Sequence, residues 1–116
     1  MAKTVCKILG VVFLLVGVCG FAAPNLLGAH LVPIHNIIHI VSGAIALYLG
    51  FAGTLSAAKT FCLVFGVVYI ALGIFGFVLG TGPDLMWMLG PLHFGRVDHG
   101  IHALLGIGFL AGGWFT

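Results

Sequence analysis

Two short stretches carry the side chains best suited to chemistry: His-Asn-Ile-Ile-His-Ile-Val-Ser-Gly at 35–43 and Asp-His-Gly-Ile-His-Ala-Leu-Leu-Gly at 98–106. Residues four apart share one helical face, so His35 and His39 stack a turn apart, and Asp98 and His102 hold the corresponding places in the second stretch. Imidazoles so placed can do three things. They can bond across helices, to each other or to Asp98 and Asn36, as polar glue in an apolar setting. They can ligate, with His39 and His102 as axial ligands of haem or a chlorophyll-type pigment, or with His35, His39, Asp98, His99 and His102 as a copper or zinc set. They can also relay protons or sense pH. Spacing leaves all three open, because a haem pair on two helices has no fixed signature and HxxxH is only a permissive zinc geometry.

Catalysis is not expected. The chain has two carboxylates, Asp84 and Asp98, and no Glu, and its histidine stretches set no Ser or Cys beside a plausible base. The glycine-rich Gly-Ile-Gly-Phe-Leu-Ala-Gly-Gly at 106–113 falls inside an apolar stretch, not after a strand where it could cradle phosphate.

What must position these groups follows from composition. Of 116 residues 62% are hydrophobic and 5% charged, and the mean hydropathy is +1.32; soluble domains carry roughly 25% charged residues. No fixed charge occurs between Lys7 and Lys59, or within 60–83, 85–95 and 99–116. Such runs cannot face water, so an integral membrane protein is expected, with the lipid bilayer, other membrane subunits or a second copy as partners and no nucleic acid.

A bilayer core of about 30 Å takes about 20 apolar residues of helix. Four spans are predicted, near 5–23, 35–55, 59–79 and 98–115, with breaks at Ala22–Asn25, Gly53–Ser56 and Gly80–Pro83. Residues 80–97, with Pro83, Pro91, Trp87, Asp84 and Arg96, read as an interfacial loop or short helix at headgroup level.

The basic start followed by an apolar run imitates a signal peptide, but an internal repeat argues for a retained helix. Residues 2–21 align without gaps to 58–77 with ten of twenty positions identical. The likeness continues at a shift of 63, pairing His30 with His93, Ile38 with Ile101, His39 with His102, Gly43 with Gly106, Leu47 with Leu110 and Gly50 with Gly113. The expected fold is all-α: a four-helix membrane bundle in a single domain, built from two tandem two-helix repeats, 1–57 and 58–116. Two spans per repeat make the copies parallel, related by a pseudo-two-fold along the membrane normal.

Glycine sets the predicted contacts, since helices in lipid associate where small residues let backbones approach. Gly10, Gly17 and Gly20 correspond to Gly66, Gly73 and Gly76, each trio on one face, and Gly43 and Gly50 correspond to Gly106 and Gly113. Cys6 and Cys62 are equivalents, and with Cys19 they show no CxxC or zinc spacing, so buried inert thiols are expected. Lys3, Lys7 and Lys59 fall on one side of the four spans and only Arg96 on the other, which puts both termini in the cytoplasm of a bacterial cytoplasmic membrane and the histidines at the outer side.

In the pattern Asn36-x-x-His39-x-x-x-Gly43, followed by Asp98, His102 and Gly106, the chain resembles a family of small four-span bacterial membrane proteins catalogued as a domain of unknown function. The resemblance covers essentially the whole length. His99 stands where that pattern has a second Asn after the Asp. It implies an architecture and no activity. The function expected is that of a non-catalytic accessory or structural subunit; the alternatives are a cofactor-binding protein using His39 and His102, and a small transporter or proton relay.

Overall fold

A computed structural model describes residues 1–23 and 32–116; the first connection, with Pro24, Asn25 and His30, lies outside the described residues. Helix α1 spans Ala2–Ala22, α2 Pro33–Phe51, α3 Leu55–Leu79 and α4 Arg96–Trp114, and two short strands, β1 (Trp87–Leu89) and β2 (Leu92–Phe94), lie between α3 and α4.

Local chemistry explains the boundaries. Pro33 occupies the start of α2 behind an extended Val32, where a missing N–H costs nothing. The Thr54 hydroxyl accepts from Ala57 N at 3.0 Å and so begins α3 at Leu55, earlier than the apolar run alone suggests. At α4, Gly95 N donates to Asp98 Oδ2 at 2.8 Å, half of a capping box that fixes the entry of the chain.

Residues 80–95 form no helix. Trp87, Met88 and Leu89 pair antiparallel with Phe94, His93 and Leu92. Gly90, at φ +60°, and Pro91 link them: the glycine takes the left-handed conformation that side chains resist, and proline has no N–H for a helix ladder. Arg96 ties the loop down, its Nη2 donating to Pro83 O at 3.0 Å and its N to Asp84 O at 2.7 Å.

Among the described residues, α1, α2 and α3 are long and apolar enough to cross a membrane. Helix α4 matches α2 at 19 residues, but Arg96, Asp98, His99 and His102 crowd its first two turns and dilute its apolar character. The bundle is inside out relative to a soluble one. Ile8, Leu15, Val18, Tyr48, Phe51, Val67, Val78, Leu104, Ile107 and Trp114 are exposed, whereas His35, Asn36, His39, Ser42, Asp98, His99 and His102 are buried. An outer surface of bare aliphatic and aromatic side chains is stable only against lipid or other apolar partners.

Helix α1 packs chiefly along α2, and α3 chiefly along α4. In each pair the glycines mark the close approaches. A Cβ on Gly10 would lie 3.1 Å from Gly43 O, one on Gly17 2.8 Å from Asn36 O, and one on Gly50 3.1 Å from Lys3 O. In the other pair a Cβ on Gly66 would meet Leu110 N at 2.7 Å, one on Gly73 His99 O at 2.9 Å, and one on Gly106 Gly66 O at 2.9 Å. At the open ends of the chain Ala2 N donates to Thr116 Oγ1 at 2.8 Å, and Lys59 Nζ donates to Thr116 O at 3.4 Å, so both termini meet beside a lysine.

Candidate functional site

The most polar part of the interior is a column of imidazoles and aromatic rings near the hairpin end. Helix α1 contributes Phe13, which falls within the Cys6–Gly10–Phe13–Gly17–Gly20 buried stripe; α3 contributes Tyr69 within Cys62–Gly66–Tyr69–Gly73–Gly76. Glycines on either side let the neighbouring helix come close while the ring reaches past it into the core.

Phe13 stacks on His39 with ring centroids 5.2 Å apart and planes inclined 20°, and Tyr69 lies 5.5 Å from His102. Phe13 and Tyr69 are 5.7 Å from each other. His35 sits between the two imidazole positions, 4.2 Å from His39 and 6.0 Å from His102. Phe94 of β2 then closes the end of the column, edge-on to His102 at 4.7 Å and to His35 at 5.4 Å, with Trp87 behind it at 6.3 Å. Below, Phe109 meets Phe13 at 5.7 Å and continues the stack towards Phe61 and Phe65.

His35, His39 and His102 are each at most 5% exposed, and Asp98 is 2% exposed. Asp98 stands one helical turn before His102 on α4, and its Oδ2 accepts from the Gly95 N–H. The Nδ1 atoms of His39, His99 and His102 are buried and find no hydrogen-bond partner among the described residues. Such atoms are costly in a low-dielectric interior, and the two that belong to rings inside the aromatic column, on His39 and His102, are the natural points there for a proton, a water or a ligand.

His99 is placed differently. Its Nε2 lies 2.7 Å from Leu85 O, its ring is edge-on to Phe77 at 5.4 Å, and it presses against Gly76, where a Cβ would collide with Nδ1. Leu85, at φ +50°, holds a conformation that non-glycine residues seldom adopt. His99 therefore ties the hairpin loop to the α3–α4 pair. Asn36 occupies the corresponding place on α2, its side chain filling the space a Cβ on Gly20 would need.

The five residues considered as a copper or zinc set are thus divided. His35, His39 and His102 share the aromatic column and Asp98 lies close, while His99 faces α3 and the loop. Among the described residues no three His, Cys, Asp or Glu side chains gather so as to hold a metal ion. A tetrapyrrole between His39 and His102 would have to displace the ring of His35 and the Phe13 and Phe94 rings packed against the imidazoles.

Residue chemistry alone does not single out Phe13, Tyr69 or Phe94 in the sequence. Phe13 and Tyr69 carry a signal nonetheless: both fall in phase with a glycine seam, three residues after Gly10 and Gly66.

The model of the family described as Domain of unknown function (DUF4383) matches residues 3–115, almost the whole length of the chain. The chain belongs to this family. The matched stretch contains the hairpin and every residue of the imidazole column. No match is found among curated proteins or among solved structures.

Proposed function

We propose that this member of the family is a non-catalytic multi-pass membrane protein, an accessory or structural subunit of a larger membrane assembly, with four crossings made by two tandem two-helix repeats. The observation that carries this reading is the inverted burial: polar side chains and glycines are consumed inside, and every helix turns large apolar side chains outward. What that surface can contact is lipid or other membrane helices. Purification in mild detergent tests it. A partner recovered in fixed proportion is expected; a chain that runs alone under every mild condition overturns the accessory role.

The repeat is supported by matching burial. The buried residues of α1, at 2, 6, 10, 13, 17 and 20, reappear in α3 at 58, 62, 66, 69, 73 and 76, a constant shift of 56. In α2, residues 35, 36, 39, 43, 46 and 50 have buried counterparts in α4 at 98, 99, 102, 106, 109 and 113, a shift of 63. Contacts follow the same offsets, Gly17 with Asn36 and Ile40, and Gly73 with His99 and Ala103. Four crossings are supported by the clasp of Ala2 and Lys59 on Thr116, since α4 must return to the end where α1 began. That end carries Lys3 and Lys7 as well, in keeping with both termini in the cytoplasm of a bacterial cytoplasmic membrane.

A second reading is favoured by the buried, unpartnered Nδ1 atoms of His39 and His102: these imidazoles bind a haem, a pigment or a metal once the rings around them move. An absorbance spectrum and metal analysis of the native preparation decide it. A colourless, metal-free protein removes it.

A further inference from the structure

At the end opposite the histidines, Cys6 of α1 and Cys62 of α3 face each other with their sulfurs 3.7 Å apart. Both side chains are fully buried. Their other contacts are reciprocal: Cys62 Sγ points at Ala2 O, 3.7 Å away, and Cys6 Sγ at Ala58 O, 4.0 Å away. Ala2 and Ala58, also fully buried, are the next residues along this seam, one turn before each cysteine, and their small side chains let α1 and α3 approach here. The matching stripes of α1 and α3 bring these two equivalent residues together, and neither thiol contacts the histidine column.

From this we infer that Cys6 and Cys62 are a modification site, a dithiol that hydroperoxides convert to a disulfide joining the two helix pairs. The first step oxidises one sulfur: a thiol and hydrogen peroxide give a sulfenic acid and water. In the second, the facing thiol attacks that sulfur, its S–H proton leaves with the sulfenic hydroxyl as a second water, and the S–S bond forms. Overall two thiols lose two hydrogens and one peroxide becomes two waters. The sulfurs are in contact at 3.7 Å and must close to a bond of about 2.0 Å. A small neutral oxidant suits a site that bulky, charged disulfides cannot enter. Cys19 is exposed towards the other end of α1 and has no facing thiol among the described residues, so it provides the internal control.

The test uses the full chain in mild detergent, treated with increasing hydrogen peroxide, denatured, blocked with a maleimide and mapped by mass spectrometry. The expected product is a monomer lighter by two hydrogens, giving a peptide pair linked through Cys6 and Cys62, reversed by dithiothreitol and formed equally in Cys19→Ser. Cys62→Ser is expected to lose the link and carry Cys6 further up the oxidation ladder. Two results overturn the inference: both thiols staying free at a dose that oxidises Cys19, or both becoming sulfinic or sulfonic acids without a link. Because the unsubstituted chain decides the outcome, a variant that folds poorly does not blunt the test.

Discussion

Gly66→Ala should separate close helix packing from a merely glycine-rich composition. The added Cβ would lie 2.7 Å from Leu110 N and 2.8 Å from Leu110 Cα, both backbone atoms that cannot swing aside. Reaching an ordinary contact of 3.4 Å requires α3 and α4 to part by about 0.7 Å. A gap of that size forfeits roughly a quarter to a half of each dispersion contact worth ~0.1–0.2 kcal/mol, and over an interface several turns long the loss is on the order of 1–3 kcal/mol. The control is Gly108→Ala, whose Cβ would meet only Leu9 Cδ1, at 3.8 Å. That change should be neutral or gain up to about 1 kcal/mol from helix propensity. Dodecyl sulfate titration of both proteins in mild detergent, followed by near-ultraviolet ellipticity, reads the difference. Equal midpoints for the two variants would refute the reasoning, because the same methyl group would then cost nothing where the backbones touch.

Two further perturbations probe the histidine end. Phe94→Ala removes the ring that covers His35 and His102, so acylation of those imidazoles by diethyl pyrocarbonate should speed up at least several-fold, with a stability loss of about 3 kcal/mol; unchanged acylation would show that Phe94 does not shield them. Asp98→Ala deletes the acceptor for Gly95 N and should lower stability by about 1 kcal/mol, whereas Asp98→Asn keeps an acceptor and should recover most of that; equal losses in the two variants would place the effect in the charge and not the cap.

Much of this architecture is legible in the sequence because membrane helices advertise themselves by length and their contacts by glycine. The seams through Gly10, Gly17 and Gly20 and through Gly66, Gly73 and Gly76 can be read from spacing, since a three- and four-residue alternation keeps one face of a helix. The start of α3 is set by the Thr54 hydroxyl, a cap whose effect no hydropathy window detects. The hairpin is equally hidden: strands of three residues are too short for alternation to register. With the hairpin hidden, so are the place of Phe94 and the closure of the imidazole column. The position of His35 between His39 and His102 is also beyond sequence reasoning, since i and i+4 spacing gives a shared face but not the neighbour a ring turns towards.

The most direct test of the central claim, four crossings with polar side chains turned inward, is the sidedness of three positions in sealed vesicles. Single cysteines are placed directly after Met1, at Met88 of the hairpin, which is exposed, and at Thr116 in a chain whose Cys6, Cys19 and Cys62 are changed to alanine, and a membrane-impermeant maleimide is added from outside. The two terminal cysteines are expected to react from the same side and the one at Met88 only from the other. Labelling of the two terminal cysteines from opposite sides would mean that α4 does not cross, and would contradict the inside-out bundle.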